Sequence, residues 1–430
     1  AGMNVMRLNF SHGDFAEHQG KVDNLRKAIK KTGIPCAIMQ DLSGPKFRLG
    51  DFYQERVQLK AGDFITLTTD KIVGDEKRVS VNYPTLHEEI SVGNMIMVDD
   101  GKKQFEVVEI KGHEIKCKIL IGGDTKGRRS LNLPGAKLKI GALTDKDKKD
   151  IAFGLKNKVD IVAFSFVRKP EDVIELRNIL NKAKSDAKIM AKIETVEAVA
   201  DFDQILELVD MVMVARGDLS VELGYENVPP AQKMMIEKCN LAGKPVLTAT
   251  QMLESMIKSP APTRAEVSDI ANAIYDGTDG VMLSEESTLG DHPVAAVEMM
   301  TKISKKIEND ERYLDCRNTT IYTGNDTDLI AESAVQISDD IEAKAIVAFT
   351  DSFNMVQSVS SLKPIAPIFV ATPNERMANQ TILSYGCYSF KTSKAIHFAD
   401  AYKEAKAHLL KTKVVEKGDK IVVIAPMPFG

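Results

Sequence analysis

Short apolar runs that end in polar residues recur along this chain. "NVMRLNF" and "CAIMQDL" come first, and after a long interval come "VDIVAFSFV", "AKIMAKIE", "DMVMVARGD", "KPVLTATQ" and "DGVMLSEE". Between them lie segments such as "PEDVIELRNILNKAK", with apolar residues at the three- and four-residue spacing of an amphipathic helix. Near-continuous apolar strands alternating with such helices predict a parallel sheet, covered by helices on both faces or closed into a barrel. In a (β/α)8 barrel the carboxyl ends of the strands carry the active site. Here those ends hold Arg7, Asn9, Asp41, Ser165, Lys192, Glu194, Arg216, Asp218, Thr250 and Glu286. The strand "MVMVA" therefore delivers Arg216, Gly217 and Asp218 onto a catalytic face. An adhesion tripeptide, which the same letters spell, needs an exposed loop tip and not so apolar a strand in front of it.

Seven such strands are counted, one short of closing an eight-stranded barrel. The chain opens Ala-Gly-Met, so the expectation is that a first strand and helix precede Ala1. A doubly wound open sheet is the architectural alternative. Residues 51–137 differ in texture: "VQLKAGDFITLTT", "KRVSVN", "MIMVDDGKKQFEVVEIKG" and "EIKCKILIGG" alternate polar and apolar positions between Gly, Asp and Asn. That predicts a small β-barrel lid inserted into the barrel. Residues 1–50 and 138–315 then form the split barrel, and 316–430 a C-terminal α/β domain built on "AKAIVAFT", "IAPIFVAT", "CYSFKT" and "DKIVVIAP".

Charge and composition narrow the function. The net charge is -4 and no single-sign run suggests a nucleic-acid arm. The five cysteines are scattered without ligand spacing, the pattern of reduced thiols in a cytoplasmic protein. There is no signal peptide or membrane-spanning stretch, and no Walker A or GxGxxG sequence to bind nucleotide in the usual ways.

Glu194 and Asp218 end consecutive strands, so their carboxylates can converge. Two carboxylates completed by substrate oxygens and water suit Mg²⁺ or Mn²⁺. Lys192 points to the same side of its strand as Glu194. Arg7 and Arg48 add cations, whose guanidinium fork matches phosphate. A metal with several cations describes phosphoryl transfer, where positioning and charge neutralisation do most of the catalysis. Blander readings stand beside these: Glu194 as a salt-bridge partner, Lys192 as a solvated rim lysine. Arg216 is expected to pair with Glu194 or Asp218. "HGDFAEH", with His12 and His18, reads as the start of a helix and not as a metal site.

"MNVMRLNFSHG", "DLSGPK", "AKIET", "MVARGDLSVE", "KPVLTATQMLESM" and "PTRAEVSDIANAIYDGTDGVMLSEES", in this order over nearly the whole chain, closely resemble pyruvate kinases. The resemblance implies a barrel, an inserted lid and a C-terminal α/β domain. It also implies phosphoryl transfer from phosphoenolpyruvate to ADP, giving ATP and pyruvate in glycolysis, by a homotetramer. Under it Glu194 and Asp218 bind the metal, and Lys192 neutralises the phosphoryl in flight. Thr250 lies on the face where the enolate is protonated, and Ala215, Gly217 and Asp218 present backbone to the substrate carboxylate. Arg7, Asn9, Arg48 and Arg129 contact phosphates, Asp100 helps close the lid, and Ser11, His12 and Ser165 complete the substrate shell. Ser220 and Glu285 depart from the commoner residues without removing a catalytic group.

Two departures bear on cofactors and regulation. K⁺-requiring relatives read DTKGPE where this chain reads "DLSGPK"; Leu42 lacks the hydroxyl and Lys46 brings a fixed ammonium, so Lys46 is expected to replace K⁺. Relatives activated by sugar phosphates carry a Thr-x-Ser-Gly-x-Ser/Thr loop, whereas "TDSFNM" here has Phe353, Met355 and Asp351, so activation by fructose 1,6-bisphosphate is not expected. Another Mg²⁺-dependent phosphoenolpyruvate- or pyruvate-handling barrel, and a non-catalytic ligand-binding relative, are the competing functions.

Overall fold

Apolar runs become parallel strands here because helices cover one side of each strand and a methionine-rich interior fills the other. The computed structural model describes residues 2–136, 138–317, 325–350, 352–395 and 397–426. Strand β1 (Val5–Asn9) and strand β2 (Ala37–Asp41) flank the helix Phe15–Thr32. Asp14 caps that helix by accepting from the Glu17 amide, and Gly33 ends it at φ 70° with its N–H on the Ile29 carbonyl. His18 is buried, stacked on Phe10 at 4.2 Å, with its Nε2 2.9 Å from the His12 carbonyl oxygen. "HGDFAEH" is a helix start, as expected.

The chain then leaves the sheet for nine short strands: β3 (Phe47–Arg48), β4 (Val57–Leu59), β5 (Phe64–Thr68), β6 (Arg78–Ser80), β7 (Met95–Val98), β8 (Lys103–Lys111), β9 (Glu114–Ile121), β10 (Gly123–Thr125) and β11 (Ser130–Asn132). Seven pair in the order β3-β11-β7-β8-β9-β5-β6, and β10 pairs β4. The pairs are antiparallel except β5–β6, which run parallel. Alternation along β8 and β9 turns Phe105, Val107, Ile115, Cys117 and Ile119 into a lid core of its own.

The chain returns as β12 (Ile161–Phe164), β13 (Lys188–Ile193), β14 (Met211–Ala215), β15 (Val246–Ala249) and β16 (Gly280–Met282). With β1 and β2 they make one parallel seven-stranded sheet, ordered β1-β2-β12-β13-β14-β15-β16. Met39, Met190, Met211, Met213 and Met282 fill its inner side with Ile161 and Leu247. Finally β17 (Ala345–Phe349), β18 (Ile368–Thr372), β19 (Cys387–Lys391) and β20 (Ile421–Ile424) form a parallel sheet ordered β19-β18-β17-β20. The fold is α/β: a TIM-type barrel sheet, an inserted β lid and a C-terminal α/β unit.

The amino ends of alternate barrel strands share one device. Asp160, Asp210 and Asp279 stand just before β12, β14 and β16, and each accepts a backbone N–H from a neighbouring strand at 2.8 Å: Ile38, Ile189 and Val246 respectively. The C-terminal unit docks at the same places. Asn379 and Gln380 reach Asp160, Gln357 reaches the Asp210 carbonyl, and Lys363 closes a buried ion pair on Asp279 at 2.6 Å. Phe353 and Leu383 insert into the barrel's interior cluster from this side.

Candidate active site

At the carboxyl ends of the strands, charged side chains meet in one network of ion pairs and hydrogen bonds. Lys192, on β13, is buried with its ammonium 2.7 Å from Ser165 Oγ, 2.9 Å from Glu194 Oε1 and 3.2 Å from Asp41 Oδ1. Asp41, at the end of β2, also accepts from the Arg7 guanidinium at 2.6 Å. Burial opposes the Lys192 charge, but Asp41 and Glu194 outweigh it and the ammonium is held above its usual range. Burial likewise opposes ionisation of Asp41, and Lys192 and Arg7 overcome it, so its pKa falls. Glu194 goes the other way: burial first, then the Asp218 charge, push its carboxyl up against the pull of Lys192. Its Oε2 accepts the Phe166 amide at 2.8 Å, and Phe166 adopts a left-handed φ of 54°.

Asp218 is placed by a feature the sequence did not announce. Strand β14 ends at Ala215 and the helix Arg216–Leu223 begins at once, so Arg216, Gly217 and Asp218 are its first turn and not a loop. No side chain caps that turn. Among the described residues the Asp218 carboxylate accepts no hydrogen bond and makes no ion pair. A Cβ on Gly217 would lie 3.6 Å from Thr250 Oγ1, ordinary contact, so glycine there relieves no clash. Ser220 donates back to the Gly217 carbonyl at 2.8 Å, which accounts for its tolerance.

The expected pairing of Arg216 with Glu194 or Asp218 is not made. Arg216 turns away and forms a two-pronged ion pair with Asp269 at 2.6 and 2.7 Å, and donates to the Thr250 carbonyl at 2.7 Å. Helical geometry is the reason: the first turn of a helix sends successive side chains about 100° apart, so Arg216 and Asp218 cannot share a side. Arg216 instead braces Thr250, which sits at φ 72° beside Gln251 at φ 55°. Left-handed backbone at a β-branched residue is strained, and such strain gathers at functional sites. Thr250 Oγ1 is buried with no hydrogen-bond partner.

Two cavities that share lining residues receive these groups. One of about 100 Å³ is lined by Arg7, Asn9, Ser11, Lys46, Lys192, Glu194, Ala215, Asp218 and Thr250. The other, about 340 Å³, lies between barrel and lid and gathers His12, Lys46, Arg48, Asp100, Arg129 and Asp218. Lys46 and Asp218 line both. Lys46 is open to solvent, yet the cleft walls crowd its ammonium enough to lower its pKa, against the pull of Asp218, Glu194 and Asp41. Arg48 donates to the Arg128 carbonyl, and Arg129 lies 3.5 Å from Asp99. Asp100 and Ser130 exchange hydrogen bonds in the lid. Ser165 lies beneath the small cavity and donates to the Leu42 carbonyl at 2.7 Å.

The sequence marks Asp41 only as a strand-end residue; its role as the hub between Arg7 and Lys192 depends on strands β1, β2 and β13 meeting. The sequence carries no signal for Asp99 or Phe166, whose contacts with Arg129 and Glu194 arise only in the fold, although Asp99 also pairs locally with Lys103.

Among the described residues no group of three His, Cys, Asp or Glu side chains is arranged to hold a metal. Glu194 and the unpartnered Asp218 nevertheless border one small cavity beside the orphaned Thr250 hydroxyl. An all-oxygen pair of carboxylates fits a hard divalent cation whose other positions a ligand or water would fill. Among the described residues no helix is long and apolar enough to cross a membrane.

Cations around a carboxylate pair at the mouth of a TIM-type barrel, beneath a lid, define a phosphate-handling barrel enzyme. Residues 1–297 match the family described as pyruvate kinase, barrel domain, and residues 328–430 its alpha/beta domain. The chain belongs to the pyruvate kinase family. It is 42% identical to the pyruvate kinase of Clostridium perfringens over 99% of this chain and 91% of that one, and 41% identical to that of Geobacillus stearothermophilus over 100% and 74%. A solved pyruvate kinase from Cryptosporidium parvum superposes with a TM-score of 0.94 at 36% identity, covering 99% of this chain and 89% of that one.

Proposed function

We propose that this chain transfers the phosphoryl group of phosphoenolpyruvate to ADP, giving ATP and pyruvate, as a cytoplasmic glycolytic homotetramer using Mg²⁺ or Mn²⁺. The observation that carries the reading is the buried Lys192 ammonium, fixed by Asp41, Glu194 and Ser165 and facing the small cavity. Glu194 and Asp218 hold the divalent cation, which when bound supplies Lewis-acid charge neutralisation to the substrate oxygens.

Arg7 and Lys192 neutralise the phosphoryl group during transfer, and Lys192 also stabilises the enolate left behind. Because Asp41 bridges the two cations, neither has to reorganise as charge develops. The backbone of Ala215, Gly217 and Asp218, at the start of an uncapped helix, presents N–H groups to the substrate carboxylate. Asn9, Ser11 and Ser165 complete the floor. The hydroxyl of Thr250 lies on the face where the enolate takes its proton. His12, Arg48 and, from the lid, Arg129 bind nucleotide phosphates, and Asp100 helps close the lid to exclude water.

Lys46 takes the place of K⁺. It lines both cavities and interacts with Asp218, Glu194 and Asp41, while Leu42 is buried and offers no side-chain oxygen. Activation by fructose 1,6-bisphosphate is absent. Phe353, in the expected effector loop, is buried under the barrel with the Lys188 ammonium 4.3 Å from its ring centre. Asp351, the charge expected to repel the anion, lies outside the described residues.

The experiment is a coupled assay of pyruvate formation from phosphoenolpyruvate. It should depend on both ADP and Mg²⁺; pyruvate released without ADP would point instead to another phosphoenolpyruvate-handling enzyme.

A further inference from the structure

The chain crosses between barrel and lid twice, and both crossings meet at one carboxylate. On the way out Leu42 belongs to the barrel core and Phe47 packs against the lid core, so Ser43, Gly44, Pro45 and Lys46 make the crossing. On the way back Leu138 and Ile140 pack against the lid core, while Ala142 and Leu143 belong to the barrel core. The helix Asp145–Lys156 follows, and Asp147, in its first turn, is fully buried. Its Oδ1 accepts from the amides of Ser43 and Gly44, at 3.1 Å each. Its Oδ2 accepts from the Thr144 amide at 2.9 Å and the Thr144 hydroxyl at 2.5 Å.

The plainer role is that of a helix start, since Thr144 and Asp147 close a capping box. That role uses Oδ2 and the Asp147 amide only. Oδ1 has no part in it, because its donors lie 104 and 103 residues earlier in the chain. The adjacent Lys146 and Lys148 pair with Asp150 and Glu175 instead, so hydrogen bonds are what satisfy this buried carboxylate. The outgoing loop has little freedom left. The Leu42 amide donates to the Ala163 carbonyl, and the Leu42 carbonyl accepts the Ser165 hydroxyl. Gly44 stands at φ 62°, where a Cβ would come 2.9 Å from the Phe166 ring and 3.2 Å from the Ser165 carbonyl oxygen. Two residues on, Lys46 lines both cavities, and its carbonyl accepts from Asn82 of the lid at 3.0 Å.

We infer that Asp147 is a positioning residue, joining the outgoing and returning crossings on the barrel side and so setting the place from which Lys46 reaches the cleft. The junction itself stands on hydrogen bonds. Its effect on turnover rests on the reading of Lys46 as the internal cation of a phosphoryl-transfer site.

The test compares three variants of the full chain. Asp147→Ala removes both oxygens, Thr144→Val removes the capping hydroxyl but leaves Oδ1 in place, and Asp147→Asn keeps a carbonyl oxygen for the two loop amides. Amide hydrogen exchange of the ligand-free protein reads the junction. Peptides spanning residues 42–46 should exchange faster on the order of tenfold in Asp147→Ala while β13 and β14 stay protected, which rules out general unfolding. Thr144→Val and Asp147→Asn should leave those peptides close to the unmodified protein. Kinetics in tetramethylammonium buffer read the placement of Lys46. Asp147→Ala should lose about tenfold in kcat and regain part of it on adding K⁺, because a displaced ammonium leaves its place open. Thr144→Val should keep the parent's turnover and ignore K⁺; loss of a helix cap has no reason to create a K⁺ response.

Residues 42–46 that exchange no faster in Asp147→Ala overturn the inference, as does a Thr144→Val variant that matches it in both measurements. Faster exchange without any K⁺ response, in a parent indifferent to K⁺, would leave Asp147 a brace and overturn its positioning role. A parent that itself requires K⁺, or shows no ADP-dependent activity, with the exchange effect intact, would sink the reading of Lys46 and leave the junction standing. If Asp147→Ala does not fold, Asp147→Ser takes its place with the same expectations, since one short hydroxyl cannot serve both crossings.

Discussion

The two ends of the barrel strands use the same residue types to opposite effect. At the amino ends Asp160, Asp210 and Asp279 each satisfy a strand N–H and receive groups from the C-terminal unit. At the carboxyl ends, among the described residues, Asp218 has no partner, Thr250 Oγ1 is orphaned and two consecutive residues hold strained backbone. Buried polar groups are normally satisfied, so the open Asp218 carboxylate and Thr250 hydroxyl set this end apart from the braced one. A carboxylate at a strand end is thus uninformative in itself; what distinguishes a site from a brace is whether its neighbours have already used it.

Breaking the amino end should have the largest effect. Lys363→Met leaves Asp279 as an uncompensated buried charge and should destabilise the protein by about 3–5 kcal/mol, read by urea unfolding, while kcat of the folded fraction stays close to normal. Replacing both partners with apolar residues should recover much of the loss; a single variant as stable as the parent would show that the pair is no brace.

At the other end Lys192→Met should retain metal and substrate binding, because Asp41 keeps Arg7, and lose turnover by about 10²- to 10³-fold. Near-normal turnover would remove Lys192 from the mechanism.

Lys46 offers a smaller test. Turnover in tetramethylammonium buffer should not change on adding K⁺, and Lys46→Glu should then create dependence on K⁺, with roughly a tenfold rise on its addition. The electrostatic reason is that an ammonium and K⁺ sharing one small site would repel by about 4 kcal/mol at 4 Å in an effective dielectric of 20. A strong K⁺ requirement in the unmodified protein refutes the exchange.

The smallest effect concerns pH at the amino end. Burial raises the Asp160 carboxyl to about 6. A raised carboxyl binds its proton more tightly when folded, so its contribution to stability is full below the unfolded value near 3.8 and is lost as pH rises through about 6. Asp160→Asn should remove this slope, so that the parent loses stability relative to the variant as pH rises from 4 to 7. Thermal unfolding at several pH values checks it, and parallel curves for the two proteins would count against it.

The seven barrel strands, the lid's alternation and the four strands of the C-terminal sheet were all legible, because burial on one or both faces imposes a period on the sequence itself. Site residues were legible where they ended a strand: Arg7, Lys192, Glu194, Asp218 and Thr250 do border one cavity. "PTRAE" was legible only as a resemblance. In the structure Glu266 closes a capping box with Thr263 and takes two further hydrogen bonds from Ser255, a structural clasp and not a substrate contact.

What the sequence determined by itself, then, was which residues stand at strand ends, since that follows from local periodicity and needs no partner. Which of them pair was decided only in three dimensions. Arg216 and Asp218 are two residues apart, and a strand would have sent them the same way; the helix that starts at Arg216 sends one to Asp269 and leaves the other free. Asp41 became a hub because β2 lies near β13 across the sheet, and Asn132 of the lid borders one cavity with Glu222 of the barrel because the lid folds back over it. Hydrogen bonds and ion pairs act over a few ångströms, and separation along the chain says little about separation in space once strands and lid have packed.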